Sequence, residues 1–293
     1  MSIVSMRPTA VIVGVSALMG TGDLRAQPLT IYQIQSETVD GDATSHAGTV
    51  VDCAGGVVVG KFRGYRPRII IQDPAYPHEW GGIQVKDWIY ESGTGEWALF
   101  DNVEIGDWVS LTNVLVEEFV GNTMLQYQVY YDPGFVIESQ GNPLPDPVLV
   151  NVADVLHPLD HDATERYEGM VVTLHDVHVG QMDLGKADDN YELVQGGHVA
   201  WGTDYMNVDA GAPYDPRIET GVNLSRITGV LEQYTSGQWD YYQLCTRSAA
   251  DVVVLPIPTV SSWGAAAICL LLLIGGTIAL QGRDGPAARA YAA

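Results

Sequence analysis

The sequence predicts an all-β protein built as two small barrels in tandem, and three observations carry that expectation. Short β-branched runs recur in the same order in both halves of the chain. Gly-Asp turns and a proline-rich break punctuate them. No long amphipathic helical stretch occurs anywhere in the body.

In chain order, residues 1–26 come first. Arg7, the apolar stretch from Ala10 through Met19 and the ending Leu24-Arg25-Ala26 have the three parts of a secretory signal peptide, with cleavage after Ala26. Residues 28–140 form the first predicted barrel. Its first strand opens at Ala47-Gly48-Thr49-Val50-Val51, its second is Arg68-Ile69-Ile70-Ile71-Gln72, and Glu104-Ile105-Gly106-Asp107-Trp108-Val109 turns into the later strand Thr112-Asn113-Val114-Leu115-Val116. Residues 141–147, with Pro143, Pro145 and Pro147, form a linker, because proline withholds ladder donors and fixes φ.

Residues 148–254 form the second barrel and repeat those signals. Glu168-Gly169-Met170-Val171-Val172 answers the first opening, and Tyr191-Glu192-Leu193-Val194-Gln195 answers the second strand. Glu219-Thr220-Gly221-Val222 answers the Gly-Asp turn, and Thr228-Gly229-Val230-Leu231 answers the strand after it. The copies sit roughly 115 to 120 positions apart, a domain-sized period rather than a solenoid one. One short helical turn is expected near Val152–Leu156, with Asn151 as its cap.

The C-terminal segment, residues 257–284, begins Ile257-Pro258-Thr259-Val260, reaches Trp263-Gly264 and continues as an apolar run from Ala265 to Leu280 before Arg283. That run is short of the roughly 20 residues of a full membrane span, and Gly275-Gly276 weakens it as a helix. The motif resembles the bacterial IPTL-type C-terminal sorting domain. Ser262 stands where that family usually has Glu, and its basic end is sparse here, with Arg283 and Arg289. The resemblance implies a membrane helix, recognition by an exosortase-like sorting enzyme and delivery to the cell envelope or surface.

The 293-residue chain carries a formal charge of −22, which argues against a general nucleic-acid binder, since phosphate contacts need clustered Lys and Arg. Its 46% apolar content is enough for a real core. Cys53 and Cys245 are the cysteines of the body; export permits a bridge between them without requiring one.

The order of signals within each half also resembles the OB-fold-like domains of secreted bacterial proteins, which often precede endonuclease/exonuclease/phosphatase domains. The residues carrying this are Gly48-Thr49-Val50-Val51, Ile71-Gln72-Asp73-Pro74, Ile105 to Val109 and Val116-Glu117-Glu118-Phe119 in the first half. In the second they are Tyr167 to Val172, Ile227-Thr228-Gly229-Val230 and Arg247-Ser248-Ala249-Ala250-Asp251. The resemblance implies two tandem OB-like Greek-key barrels. No counterpart of the nuclease domain's catalytic Glu, Asp-x-Asn and Ser-Asp-His motifs can be placed.

Candidate chemistry concentrates at Lys61-Phe62-Arg63-Gly64-Tyr65-Arg66-Pro67-Arg68, a basic cluster in an acidic chain. It lies between the first two strands, where OB-like folds commonly meet oligonucleotides or oligosaccharides. Arg63, Tyr65, Arg66 and Arg68 are the expected ligand contacts, joined by Trp80 in the loop Tyr76 to Gly82 as an exposed ring for sugars. The bland alternative is a solvated hairpin whose charges protect an edge. His157-Pro158-Leu159-Asp160-His161-Asp162 lacks a third metal ligand nearby, so a metal enzyme is not expected. The loop with Asp183, Asp188 and Asp189 suits at most a loosely held Ca²⁺; no other cofactor is expected. The functional expectation is an exported, membrane-anchored or surface-sorted binding or scaffold protein without a catalytic centre, with polysaccharide or single-stranded nucleic acid as ligand. The alternative is a nucleic-acid-binding accessory to an extracellular nuclease.

Overall fold

The computed structural model describes residues 27–39, 43–64, 66–155, 161–185, 190–207, 215–255 and 270–273, with the side chains of 161 and 162 left out. The predicted signal peptide, Tyr65, His157, Asp188, Asp189, the sorting-motif residues Ile257, Pro258, Thr259, Val260, Trp263 and Gly264, and most of the predicted membrane helix lie outside the described residues. Among the described residues no helix is long and apolar enough to cross a membrane, and Leu270–Leu273 are helical and exposed.

The first element among the described residues is a helix that the sequence reading did not anticipate, α1 (Ile31–Ser36). Six residues are too few to show an amphipathic period, but a capping box starts it: Thr30 Oγ1 accepts from Gln33 N–H at 3.1 Å and Gln33 Oε1 accepts from Thr30 N–H at 2.9 Å. Its Ile31 and Ile34 are buried in the core of the first barrel. The expected turn after Asn151 is present as a 3₁₀ turn, Val152–Asp154, closed by a capping box between Asn151 and Asp154.

The first barrel uses β1 (Val50–Phe62), β2 (Arg68–Gln72), β3 (Gly82–Asp87), β6 (Trp108–Phe119) and β7 (Asn122–Tyr127), with a two-stranded flap β4 (Tyr90–Glu91) and β5 (Glu96–Trp97) after β3. Their order is β1-β2-β3-β7-β6, and β6 pairs back onto β1, so the sheet closes. Only the β3–β7 pair in this circuit is parallel. β8 (Gly134–Ser139) adds to β6 on the outside. β1 serves two partners because it bends at Gly55, where φ is +82° and an added Cβ would lie 1.7 Å from the Val109 carbonyl oxygen. Only glycine tolerates both conditions.

The second barrel repeats the circuit with β10 (Val171–Met182), β11 (Asn190–Gln195), β12 (His198–Thr203), β14 (Trp239–Cys245) and β13 (Asn223–Ser236), closed by β13 on β10 and with β12–β14 parallel. β9 (Val148–Leu149) and β15 (Val252–Val254) extend it. The duplication reaches single hydrogen bonds. Gly48 N–H donates to Val116 O at 2.8 Å and Gly169 N–H to Leu231 O at 2.8 Å. Gly106 N–H donates to Val58 O at 2.9 Å and Gly221 N–H to Val179 O at 2.7 Å. All four glycines have positive φ, so the sequence repeats seen at these positions mark backbone geometry.

Side chains alternate across the barrel wall. Ile69, Ile71, Ile83 and Val85 point into the first core, while Tyr191, Leu193, Tyr242 and Leu244 fill the second. Cys53 lies in the first core, with burial pushing its thiol up to about 12; Cys245 is a separate buried thiol on β14, and neither is in a disulfide.

The two barrels are joined by a tight seam. Val59 and Ile70 pack with Val171 and Val230 in a buried cluster. Gly82 meets Gly169 backbone to backbone, so closely that a Cβ on Gly82 would sit 2.2 Å from the Gly169 oxygen. The Asn122 side-chain amide brackets the backbone of Gln233, accepting from its N–H at 3.0 Å and donating to its carbonyl. Gln72 Oε1 accepts from Val171 N–H at 3.2 Å, Glu168 Oε1 from Thr123 N–H at 2.8 Å, and Arg247 Nη1 donates to Val59 O at 2.9 Å. The proline-rich segment is tied down as well, with Asn142 N–H donating to Gly106 O at 2.8 Å. It is an ordered strap rather than a hinge.

Candidate functional site

The outward residues of β2 and β3 decide what the first barrel can offer a ligand. Those are Arg68, Ile70 and Gln72 on one strand and Gln84 and Lys86 on the other, antiparallel neighbours with Arg68 opposite Lys86. The second barrel covers the lower part of this face, at Ile70, Gln72, Gly82 and Gln84. The upper part remains, where Arg68 and Lys86 meet the β1–β2 loop.

Here a cavity of about 270 Å³ is lined by Phe62, Gly64, Arg66, Arg68, Lys86 and, from the second barrel, Tyr205. A neighbouring cavity of about 180 Å³ runs from Arg68 past Phe119 to Glu232 and Tyr234. Cations and rings alternate around the first. Arg66 lies 4.6 Å from the Trp88 ring centre and 5.5 Å from that of Trp97. Lys86 Nζ lies 3.9 Å from the Phe119 ring centre and 4.9 Å from that of Trp88, and Arg68 lies 5.5 Å from Phe62. Phe62 meets Tyr205 edge to face at 5.1 Å.

Local structure holds these groups in place. The Asp87 carboxylate accepts from the N–H groups of Ile89, Leu99 and Phe100 at 2.8–2.9 Å, which folds the flap back and sets Trp88 and Trp97 beside Arg66. Burial raises the Asp87 pKa, and those three donors oppose the rise. The Trp88 indole N–H donates to Gln126 Oε1. Behind Arg68 stands Glu232, 3.6 Å from Nη1, which also accepts from Tyr205 Oη at 2.6–2.7 Å, Gln243 Nε2 at 2.5 Å and Gln84 Nε2 at 3.3 Å. Burial, reinforced by Glu232, pushes the Tyr205 phenol well above its ordinary value. Burial opposes the Arg68 charge, but Tyr205 and Glu232 outweigh it and raise its pKa. Lys86 is lowered, first by burial and then by the neighbouring Arg68 and Arg66 charges, with the Glu117 carboxylate opposing them.

The structure brings Arg66 and Arg68 together and separates them from Arg63 and Trp80; Tyr65 lies outside the described residues. Arg63 turns away to pair with Asp101 and lies 5.0 Å from the Phe100 ring centre. Lys61 is occupied by Val103 O at 2.5 Å. Trp80 has φ +59° and sits at the seam, its N–H donating to Arg166 O at 2.7 Å, remote from the cavity lining. Lys86, Phe119, Tyr205 and Glu232 went unassigned in the sequence. Only Lys86 had a readable signal: it follows Gln84 at strand period in Gly82-Ile83-Gln84-Val85-Lys86, just ahead of Trp88.

The strand circuit and the position of this cavity define the class: two OB-type barrels, with side chains gathered at the loop end of strands 2 and 3 of the first. No family model matches the chain, and no curated protein matches it. Among solved structures it is similar to a murine DNA-binding protein bound with double-stranded DNA, at 12% identity over 70% of this chain and 96% of that one, with a TM-score of 0.31. It is also similar to a replication protein A heterotrimer bound to single-stranded DNA, at 9% identity over 84% and 72%, TM-score 0.23. A third is fission yeast Pot1 with single-stranded DNA, at 8% identity over 78% and 94%, TM-score 0.28. Likenesses this weak carry no argument about ligand, and the fold rests on the strand circuit itself.

Proposed function

We propose that this chain is a non-catalytic module that binds single-stranded nucleic acid at the Arg66–Arg68–Lys86 cluster. The observation that carries the reading is the convergence of three cations with Phe62, Trp88 and Phe119 at the loop end of strands 2 and 3. Guanidinium and ammonium groups suit phosphates, and the rings suit bases, whose stacking contributes about 1–3 kcal/mol each. The overall charge of −22 opposes approach, but at physiological salt the screening length is about 8 Å. The local cluster therefore governs contact.

Three phosphate contacts on a single strand give a slope of about −2 in log affinity against log salt, at about −0.7 each. Binding of a labelled oligonucleotide, followed by fluorescence anisotropy, is expected to weaken roughly 20-fold between 50 and 200 mM salt by that same slope. Arg66→Ala should flatten the slope by about 0.7. Salt-independent binding, or a preference for envelope polysaccharides over DNA and RNA, would count against the proposal.

Export and anchoring are part of the same proposal and rest on the two ends of the chain: the Ala10–Met19 stretch before Ala26, and Ile257-Pro258-Thr259-Val260 before the apolar run. N-terminal sequencing of protein from a membrane fraction is expected to begin at Gln27. An uncleaved chain in the soluble cytosolic fraction would remove export from the proposal and leave the binding site untouched.

A further inference from the structure

The duplication gives the residues of the cation cluster counterparts in the second barrel, and the strand pairings identify them. Val58 O and Val179 O accept the same glycine hydrogen bond, and Val58 faces Ile71 as Val179 faces Leu193. Three positions earlier on each of those second strands, Arg68 therefore corresponds to Asn190. Arg68 faces Lys86 and Asn190 faces Thr203, so Lys86 corresponds to Thr203 and, two residues on, Trp88 to Tyr205. Val116 O and Leu231 O are matched in the same way, which sets Glu117 against Glu232 and Phe119 against Tyr234. The half-open cavity of about 180 Å³ is lined by Thr203, Tyr205, Glu232 and Tyr234, so it is the second barrel's copy of the site. It adjoins the first copy and shares Arg68 and Tyr205 with it.

The two copies differ in charge. Arg66, Arg68 and Lys86 line the first, and Glu117 opposes them from β6. In the second, Asn190 and Thr203 stand where the first has Arg68 and Lys86, and the charges in the lining are Arg68 and Glu232, 1 − 1 = 0. A phosphate gains little from a lining without net charge. Rings are kept where cations are lost: Phe119, 39% exposed, comes from the first barrel, and the half-buried Tyr205 and Tyr234 come from the second. The buried polar side chains of Asn122, Thr203 and Gln243 complete the lining. Aromatic walls around an uncharged polar lining suit a nucleobase, which presents a π-face and a polar edge. A cavity of about 150 Å³ is known to hold benzene, so this one has room for one six-membered ring, and the fused second ring of a purine exceeds it.

We infer that the second barrel's copy of the site takes a pyrimidine base of the strand whose phosphate lies on the first copy, so that both barrels contribute to one nucleotide. The inference rests on the nucleic-acid reading above. The base packs among Phe119, Tyr205 and Tyr234, and Arg68, common to both cavities, stands beside both base and phosphate. Duplication thus divided the work: one copy kept the cations that meet the backbone, and the other kept the rings.

The test uses the full-length protein and single strands of equal length: thymine, cytosine and adenine tracts, and an abasic strand with the same phosphates. Both pyrimidine tracts are expected to bind about 10-fold more tightly than the abasic strand, within the range for one stacked base, and several-fold more tightly than the adenine tract. Tyr234→Leu keeps apolar volume but removes a stacking face, so it should abolish the difference between tracts while the salt slope stays near about −2. A preference that came only from the flexibility of pyrimidine tracts survives that substitution and overturns the inference. With the wild-type protein, a strand carrying 5-iodouracil should photo-crosslink to Phe119, Tyr205 or Tyr234, which tests the site even if the variant does not fold. Crosslinks confined to other residues, or adenine or abasic strands bound as tightly as the pyrimidine tracts, would overturn the base pocket and leave nucleic-acid binding in place. If no strand binds, even at low salt, the nucleic-acid reading itself fails.

Discussion

Glu232→Ala is expected to destabilise the protein by about 3–5 kcal/mol, the usual consequence of removing one partner from a buried charge pair. The carboxylate is almost fully buried and serves Arg68, Tyr205, Gln243 and Gln84 at once. Alanine takes the acceptor from the Tyr205, Gln243 and Gln84 donors and leaves the Arg68 guanidinium with Gln84 Oε1, at 2.9 Å, but no counter-charge. For a protein with a body of this size, roughly 2–4 °C accompany each kcal/mol, so the melting temperature should fall by about 6–20 °C. Replacing both ends of the pair, as Glu232→Leu with Arg68→Met, should recover much of the loss, because neither charge then remains buried alone. A thermal melt that shifts by less than about 2 °C for Glu232→Ala would show that the network is dispensable. Any folded Glu232→Ala protein should also bind an oligonucleotide more tightly, since it has lost one of the anions that offset the cluster.

Gly82→Val has the second large effect, and it acts on the seam. A Cβ at Gly82 would stand 2.2 Å from the Gly169 oxygen and 2.6 Å from the Met170 nitrogen. Those are backbone atoms, so no rotamer change relieves the clash and the barrels must part. Overpacking typically costs about 1–3 kcal/mol, and a backbone-on-backbone clash belongs at the upper end. Each barrel keeps its own core, so the cost should appear as lost coupling rather than global unfolding. Calorimetry is expected to resolve two transitions in Gly82→Val where the wild type shows one. A single transition at the wild-type temperature would show that the seam does not hold the barrels together.

Much of the architecture was legible in the sequence. Gly48 and Gly169, like Gly106 and Gly221, stood at matching points of the two halves, and each proves to make the same hydrogen bond with the same backbone sign. Such positions are readable because a tight turn admits few residue types, so local geometry writes itself into the chain. The proline-rich break between the halves was equally clear, although it is a strap bound to Gly106 rather than a free joint. The helix α1 escaped notice because one and a half turns show no period, though Thr30 and Gln33 had the spacing of a capping box.

The site was legible only in part. The run Lys61 to Arg68 is basic as a sequence, but strand alternation and nearby carboxylates divide it. Arg63 goes to Asp101, Lys61 to the Val103 carbonyl, and only Arg66 and Arg68 reach the cavity. The third cation, Lys86, and the walls formed by Phe119, Tyr205 and Glu232 come from positions far apart in the chain.

The sequence by itself determined two copies of one β-barrel and the strap between them. Those features depend on residue type and local spacing: alternation across a strand, glycine where φ is positive, proline where no donor is needed. Only the tertiary structure decided that the second barrel covers part of the first one's strand 2–3 face and leaves an open cavity above it. That outcome depends on Gln72 meeting Val171, Gly82 meeting Gly169 and Glu232 meeting Arg68, contacts between positions 171 − 72 = 99, 169 − 82 = 87 and 232 − 68 = 164 apart, which no local pattern encodes. A glycine that permits a turn and a glycine that permits two barrels to touch are the same letter, and packing alone tells them apart.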